Sequence, residues 1–300
     1  MDEECIHGLD LAACDLCTPK AAPVVTAVTT PAERQAIRQR VPGAPAIRIS
    51  AKSASASSTA QKTATAPRRR ATPAAKLSAD NIGEQRIYHL THIKNLERIL
   101  ADGVLYADAS PELETRPEVD ISSTDNREAR RAATVAGNDE LTVAHYVPFF
   151  LAPNADVWDS VVANESDPRL SPDGRGSIPA DFVILVSTVK TVMDAHADSA
   201  SATAVAVTDG DAAAPLTRIS ATREAWELAL RKLRFNDESS VMLEAEFLVE
   251  GSFDFDHITL VGVANDRVRD VVKPILQASL YRPKVAVYPP WFRKAELSAE

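Results

Sequence analysis

The stretch from residue 81 to residue 300 predicts an α+β domain, a mixed sheet with flanking helices, and three observations carry that prediction. Segments with strand and helix periodicity are interleaved without a regular βαβ rhythm. The stretch is about 220 residues long, which suits one domain. With only ten glycines in the chain there is no G-x-G-x-x-G, G-x-x-x-x-G-K-[ST] or G-x-S-x-G run, so a dinucleotide-binding doubly wound sheet, a P-loop and a nucleophile elbow are set aside.

"QRIYHLT" reads as a strand and "HIKNLERILADG" as the helix after it. Ile93, Leu96, Ile99 and Leu100 lie on one face of that helix, and Gly103 stands where a C-cap belongs. "SSTDNREARRAAT" opens with capping residues and predicts a second helix. "AHYVPFFLA" and "DFVILVS" are apolar enough for buried strands, and "TREAWELALRKLRF" has the spacing of an amphipathic helix. "MLEAEFLVEG", "HITLVGVA" and "KVAVYPPWF" follow as strands, with "DRVRDVVKPILQASL" as a helix between the last two. Residues 194–217, rich in Ala, Asp, Ser and Thr, read as a surface loop or insertion. If "MLEAEFLVEG" is a regular strand, Glu244, Glu246 and Glu250 share one face, which in an isolated strand would be solvated.

Upstream, residues 21–80 are built from Ala, Pro, Thr and Ser without a sustained apolar period and predict a disordered linker. They hold ten Lys/Arg against two acids, a balance of +8, so the rest of a chain of net charge −9 carries −17. A basic arm between acidic parts can hold a polyanion by charge attraction, and "PRRR" is its densest point; a plain solubilising tether has the same composition. Residues 1–20 contain all three cysteines. Cys5, His7, Cys14 and Cys17 supply four ligands of the kind zinc takes tetrahedrally, which implies a structural or recruiting metal site with no open catalytic position. No run approaches the roughly 20 apolar residues of a membrane span, and the acidic start is unlike a secretory signal, so the chain is expected to be cytoplasmic and away from the membrane.

"IYHLTHIKNLERILADGVL", "AHYVPFFLAP", "AEFLVEGSF" and the closing "VYPPWF", in this order and spacing, resemble the DarT family of DNA ADP-ribosyltransferases, toxins that attach ADP-ribose from NAD to bases in DNA. The resemblance covers residues 86–292 and implies an ADP-ribosyltransferase-like fold with NAD as substrate. It also implies single-stranded DNA as acceptor, thymine favoured over guanine as the target base, and an antitoxin glycohydrolase that removes the mark. Carried over residue by residue, it makes Glu246 the catalytic glutamate, in preference to Glu244, and Arg130 the functional arginine, with Arg127 as the other member of its helix face and Arg131 less suited. His89 and Thr91 are then expected to hold NAD, with Asn95 and Gly103 beside them. Read alone, His89 is equally a core histidine and Thr91 the N-cap of the next helix. One departure stands out: where the family commonly has Arg, Pro and Met after the central strand, this chain has "APNADVWDSV", with Asn154, Asp156 and Trp158, so the charge there is reversed. Two other functions fit the same residues: an ADP-ribosyltransferase of RNA or protein, and a catalytically silent NAD-fold adaptor that binds DNA or protein.

Overall fold

The computed structural model describes residues 81–293, apart from 136–137, 164, 198–200 and 236–239. The Cys5, His7, Cys14, Cys17 cluster and the basic linker lie outside the described residues. No described helix is long and apolar enough to cross a membrane.

Among the described residues twelve strands run in chain order: β1 Arg86–His92, β2 Val104–Tyr106, β3 Thr134–Val135, β4 Asn138–Thr142, β5 Tyr146–Phe150, β6 Phe182–Thr188, β7 Val205–Thr208, β8 Ile219–Ser220, β9 Glu246–Glu250, β10 Ser252–Asp254, β11 Leu260–Val263 and β12 Lys284–Val287. Eight of them form one mixed sheet in the order β12-β11-β6-β1-β5-β9-β7-β8, while β2 pairs with β10 and β3 with β4. Only β11 and β12 are parallel, and the Asp266–Ala278 helix supplies the crossover that a parallel pair requires.

The main core lies against one face of the sheet. Ile87, Phe149, Leu185, Phe247 and Val261 come from the strands, and Trp226, Leu230, Val272 and Leu276 from the Arg223–Phe235 and Asp266–Ala278 helices. A second cluster contains Tyr146, Ala206 and Leu248. The C-terminal "PPWF" turn closes onto the sheet, with Trp291 edge-on to Tyr88 at 5.4 Å.

The long apolar strands and the helices stand where their periodicity places them. Three readings need correction, and two short strand pairs have no counterpart in the sequence pattern. Residues 194–217 are not simply a loop, because they contain β7, all four residues of which are buried between β9 and β8. A short strand covered on both faces shows no alternation, and Ala and Asp neighbours on both sides hide it. "MLEAEFLVEG" is not one strand: Val241–Glu244 form a helical turn, consistent with their propensity, and Ala245 swings the chain into β9. Glu244 therefore shares no strand face with Glu246. Thr91 is not an N-cap; it sits inside β1, and His92 Nδ1 caps the following turn by accepting the Lys94 N–H at 3.2 Å. The pairs β2/β10 and β3/β4, of two to five residues per strand, fall below the length that periodicity reveals.

Candidate active site

The site begins as a fault in the sheet. β1 pairs with β6 along its whole length, from Arg86↔Thr188 to His92↔Phe182, yet with β5 it registers only at Tyr88↔Phe150. Continuing that antiparallel register would set Leu90 opposite Pro148. The residue at 148 has no N–H to give, and it turns that edge toward β1, since its carbonyl accepts a hydrogen bond from there. The donor is the side chain of His89, whose Nδ1–H reaches Pro148 O at 2.8 Å. β1 and β5 separate beyond this point and a cleft of about 590 Å³ opens, lined by His89, Thr91, Pro148 and Phe150 among others.

Glu246, the first residue of β9, registers with Phe150 and so stands on the cleft. Its side chain is only 5% exposed and that of Arg130 13%. Arg130 comes from the Thr124–Ala132 helix, which is capped by Ser123 accepting the Asn126 N–H at 3.0 Å. Its guanidinium meets the carboxylate in a two-point contact, Nη1 to Oε1 and Nη2 to Oε2, each 3.0 Å. Burial alone would lower the Arg130 pKa, but the Glu246 charge and hydrogen bonds outweigh it and raise it. The backbone N–H of Ala212, in the loop after β7, donates to Oε1 at 3.1 Å. β9 is fixed in place by the Glu246 N–H, which donates to Thr208 Oγ1 at 2.9 Å, and that hydroxyl in turn donates to Gly210 O at 2.6 Å.

The other residues singled out from the sequence divide in two. His89 and Thr91 line the cleft. Because a carbonyl only accepts, the His89 proton is on Nδ1, which leaves Nε2 as an acceptor; burial lowers its pKa against the upward pull of the Pro148 bond. Arg127 also lines the cleft and is ion-paired with Asp120. Asn95 touches the cleft, and its amide is committed within the protein: Nδ2 donates to Val119 O at 2.8 Å and to Thr91 Oγ1 at 3.3 Å, and Oδ1 accepts the Val119 N–H at 2.9 Å. It pins the loop that walls the cleft. Gly103 is not a lining residue. It is the left-handed C-cap of the Leu96–Asp102 helix, with φ 73°. Arg131 faces outward to Asp108 at 2.5 Å. In "APNADVWDSV", Trp158 is fully buried against Phe182, and Asp156 pairs with Arg169 at 3.0 Å.

Sequence reasoning missed Ala212, Asp211 and Arg169. A backbone donor has no sequence signature, and Arg169 lies in a stretch with no motif. It is held by Asp167, whose carboxyl lies at about 2 because the Arg169 hydrogen bonds outweigh its burial, the larger single influence.

The cavity has the volume of a site for a cofactor-sized molecule. Its cations Lys94, Arg98, Arg116, Arg127, Arg130 and Arg169 each face a carboxylate, so an anionic ligand must compete for them. A buried carboxylate beside acceptors and hydroxyls suits chemistry in which positive charge develops on a sugar.

Comparison with solved structures gives the same architecture. DarT from Thermus sp. 2.9 in complex with ADP-ribosylated ssDNA is similar with a TM-score of 0.57 at 23% identity, over 70% of this chain and 96% of that one. The same protein in complex with NAD+ gives a TM-score of 0.52 at 23% identity, over 70% and 98%. Thermosipho africanus DarTG in complex with ADP-ribose gives 0.52 at 20% identity, over 69% of this chain and 51% of that one. No curated protein sequence matches the chain. The model of the family described as "DarT: ssDNA thymidine ADP-ribosyltransferase" matches residues 88–293, from β1 through the "PPWF" turn, and the chain therefore belongs to the DarT family of NAD-dependent ADP-ribosyltransferases that act on thymidine in single-stranded DNA.

Proposed function

We propose that Glu246 is the catalytic carboxylate of this transfer and Arg130 the group that orients it, the supporting observation being their buried two-point pair on the cleft. ADP-ribosyl transfer breaks the bond between the ribose and the nicotinamide nitrogen, and a base nitrogen forms the new bond to the ribose as it loses its proton. The ribose carries positive charge in between, and a fixed carboxylate nearby stabilises it, more in the transition state than in the ground state. Among the described residues, Oε1 accepts from Arg130 and Ala212, whereas Oε2 accepts from Arg130 alone. Oε2 therefore keeps an acceptor position for a ribose hydroxyl or for the proton of the attacking base.

On the same reading His89 and Thr91 orient NAD, Nε2 and the Thr91 hydroxyl being the polar groups they present. Asn95 contributes through the loop it pins and Gly103 through the helix end it caps. Arg127 is the candidate for the NAD diphosphate, exchanging Asp120 for phosphate oxygens. An unpaired base offers its edge without the cost of leaving a stack, in keeping with a single-stranded substrate.

The domain organisation proposed is a zinc-binding segment at 1–20 held by Cys5, His7, Cys14 and Cys17, a basic linker at 21–80 that grips phosphates, and the transferase at 81–300. Single-stranded DNA and NAD meet in the cytoplasm, the location we propose. A modification of thymidine is toxic unless reversed, which fits a toxin with a partner glycohydrolase as antitoxin; the similarity to Thermosipho africanus DarTG supports this reading.

The test is incubation of the purified chain and Glu246→Gln with labelled NAD and, separately, single-stranded DNA, duplex DNA, RNA and protein. Label on single-stranded DNA from the unaltered chain alone is expected. Equal labelling by Glu246→Gln would remove that residue from the chemistry.

A further inference from the structure

Arg169 sits where the segments that build the Glu246 site converge. Its side chain fans toward three carboxylates: Nε and Nη2 reach Asp167 at 3.1 and 2.7 Å, Nη2 reaches Asp156 at 3.0 Å, and Nη1 lies 3.9 Å from Asp211. Asp167 alone would neutralise it, being buried and further held by the Ser160 hydroxyl at 2.8 Å. The other two contacts tie in neighbouring segments. Asp156 donates its N–H to Leu243 O at 3.0 Å, three residues before Glu246. Asp211 directly precedes Ala212, the backbone donor to Glu246. The carbonyl of Arg169 itself accepts the N–H of Ser123 at 2.9 Å, and Ser123 caps the helix that carries Arg130.

The Asp211 turn is wound on itself: Oδ1 accepts the Ala213 N–H at 2.9 Å and the carbonyl accepts Thr217 Oγ1 at 2.7 Å. Those bonds shape the turn, and the Thr208 hydroxyl, which accepts the Glu246 N–H and donates to Gly210 O, ties the residue before Asp211 to β9. The remaining carboxylate oxygen, Oδ2, points to Arg169, and at 3.9 Å the contact is one of charge rather than a hydrogen bond. A direct role for Arg169 in gripping a DNA phosphate fits poorly. One guanidinium stands among Asp156, Asp167 and Asp211, and Glu244 shares the adjoining depression of about 440 Å³, so an anion arriving there meets a surplus of negative charge.

We infer that Arg169 is a positioning residue for the transfer, holding the Asp211–Ala212 turn so that the Ala212 N–H remains on Glu246 Oε1 while its backbone anchors the Arg130 helix. The inference rests on Glu246 being the catalytic carboxylate. Its oxygen selectivity depends on that turn: with Ala212 in place Oε1 is saturated and Oε2 faces the substrate, and without it the carboxylate can swivel about the Arg130 fork.

The first variant is Asp211→Asn, which keeps size and the Ala213 bond, removes the charge that Arg169 attracts and that also acts on Arg130, and leaves the Asp167–Arg169 pair intact, so the double variant with Arg169 assigns the loss to this contact. With the full chain, NAD and a single-stranded oligonucleotide, kcat is expected to fall about tenfold while KM for NAD and for DNA each move less than about threefold. Arg169→Lys keeps the charge without the fork and is expected to fall between wild type and Arg169→Met. Combining Asp211→Asn with Arg169→Met should cost less than the two separate losses together, because both act through one contact. A wild-type kcat for Asp211→Asn, or a rise confined to KM for DNA, overturns the inference. If Arg169→Met does not fold, Asp211→Asn and Arg169→Lys still decide. Glu246→Gln measured alongside separates the two levels: an inactive Glu246→Gln with an unaffected Asp211→Asn defeats only the positioning role, whereas an active Glu246→Gln defeats the catalytic assignment and this inference with it.

Discussion

Arg130 and Glu246, 116 residues apart in the chain, meet in two parallel hydrogen bonds of 3.0 Å with both side chains almost out of reach of solvent. Removing one partner strands the other charge in a place where water cannot compensate it. Arg130→Met is expected to lower the unfolding free energy by about 3–5 kcal/mol, and Arg130→Met with Glu246→Met to recover most of that loss while remaining inactive. Denaturant titration of the two variants checks this; equal destabilisation of both would show that the charges are not coupled.

His89 makes the site sensitive to acid. Burial sets its pKa below the usual 6.5, against the Pro148 bond that raises it, so the folded protein takes up this proton less readily than the unfolded chain. Its contribution leaves stability unchanged well above pH 6.5 and erodes it as the pH falls through that value toward the folded-state pKa. His92 and His196, also lowered chiefly by burial, add to the slope. His89→Gln can keep an N–H on Pro148 without titrating, and is expected to make the loss of stability between about pH 6.5 and 5 shallower, as measured by melting temperature against pH.

Asn95 holds Val119 by both of its backbone groups, as a partner strand would. Asn95→Ala is expected to cost about 2 kcal/mol and to raise KM for NAD, because the wall of the cleft loosens. Hydrogen exchange at the Val119 amide reports the effect directly, and unchanged protection there would show that the loop is held by other means.

Gly103 combines a backbone φ of 73° with a close neighbour, since a Cβ there would meet the Tyr281 hydroxyl. Gly103→Ala is expected to destabilise by about 1–2 kcal/mol from the left-handed conformation alone, with the clash in addition. Adding Tyr281→Phe removes the clashing oxygen and should restore only the second part. Urea midpoints of the single and double variants separate the two; full restoration would mean that the backbone conformation carries no cost here.

Much of this is written in the sequence, at different depths. Strands such as "DFVILVS" and the amphipathic "TREAWELALRKLRF" declare themselves by pattern, because their burial depends on their own residues. β7 does not, since "VAVT" becomes a strand only through β9 beside it. The carboxylate on β9 has the same character. On an isolated strand Glu246 would face water, and its burial comes from Arg130 and the Asp211 loop, neither near it in the chain. Helical spacing put Arg127 and Arg130 on one face but could not say which meets Glu246; the fold gives Arg130 to Glu246 and Arg127 to Asp120. Glu246 itself is marked by the family motif rather than by any property of the strand.

The break between β1 and β5 has a consequence for how this protein tolerates change. Four strands lie on each side of it, and among the described residues the seam carries one registered backbone pair, the imidazole–carbonyl bond of His89 and, at its end, the Gln85 Nε2 bond to Leu151 O at 3.0 Å. At the break stands Pro148, which has no hydrogen to offer its neighbour. Pro148 is therefore a point of vulnerability, because a residue with an N–H there supplies the donor that a further backbone pair between the two halves of the sheet would use.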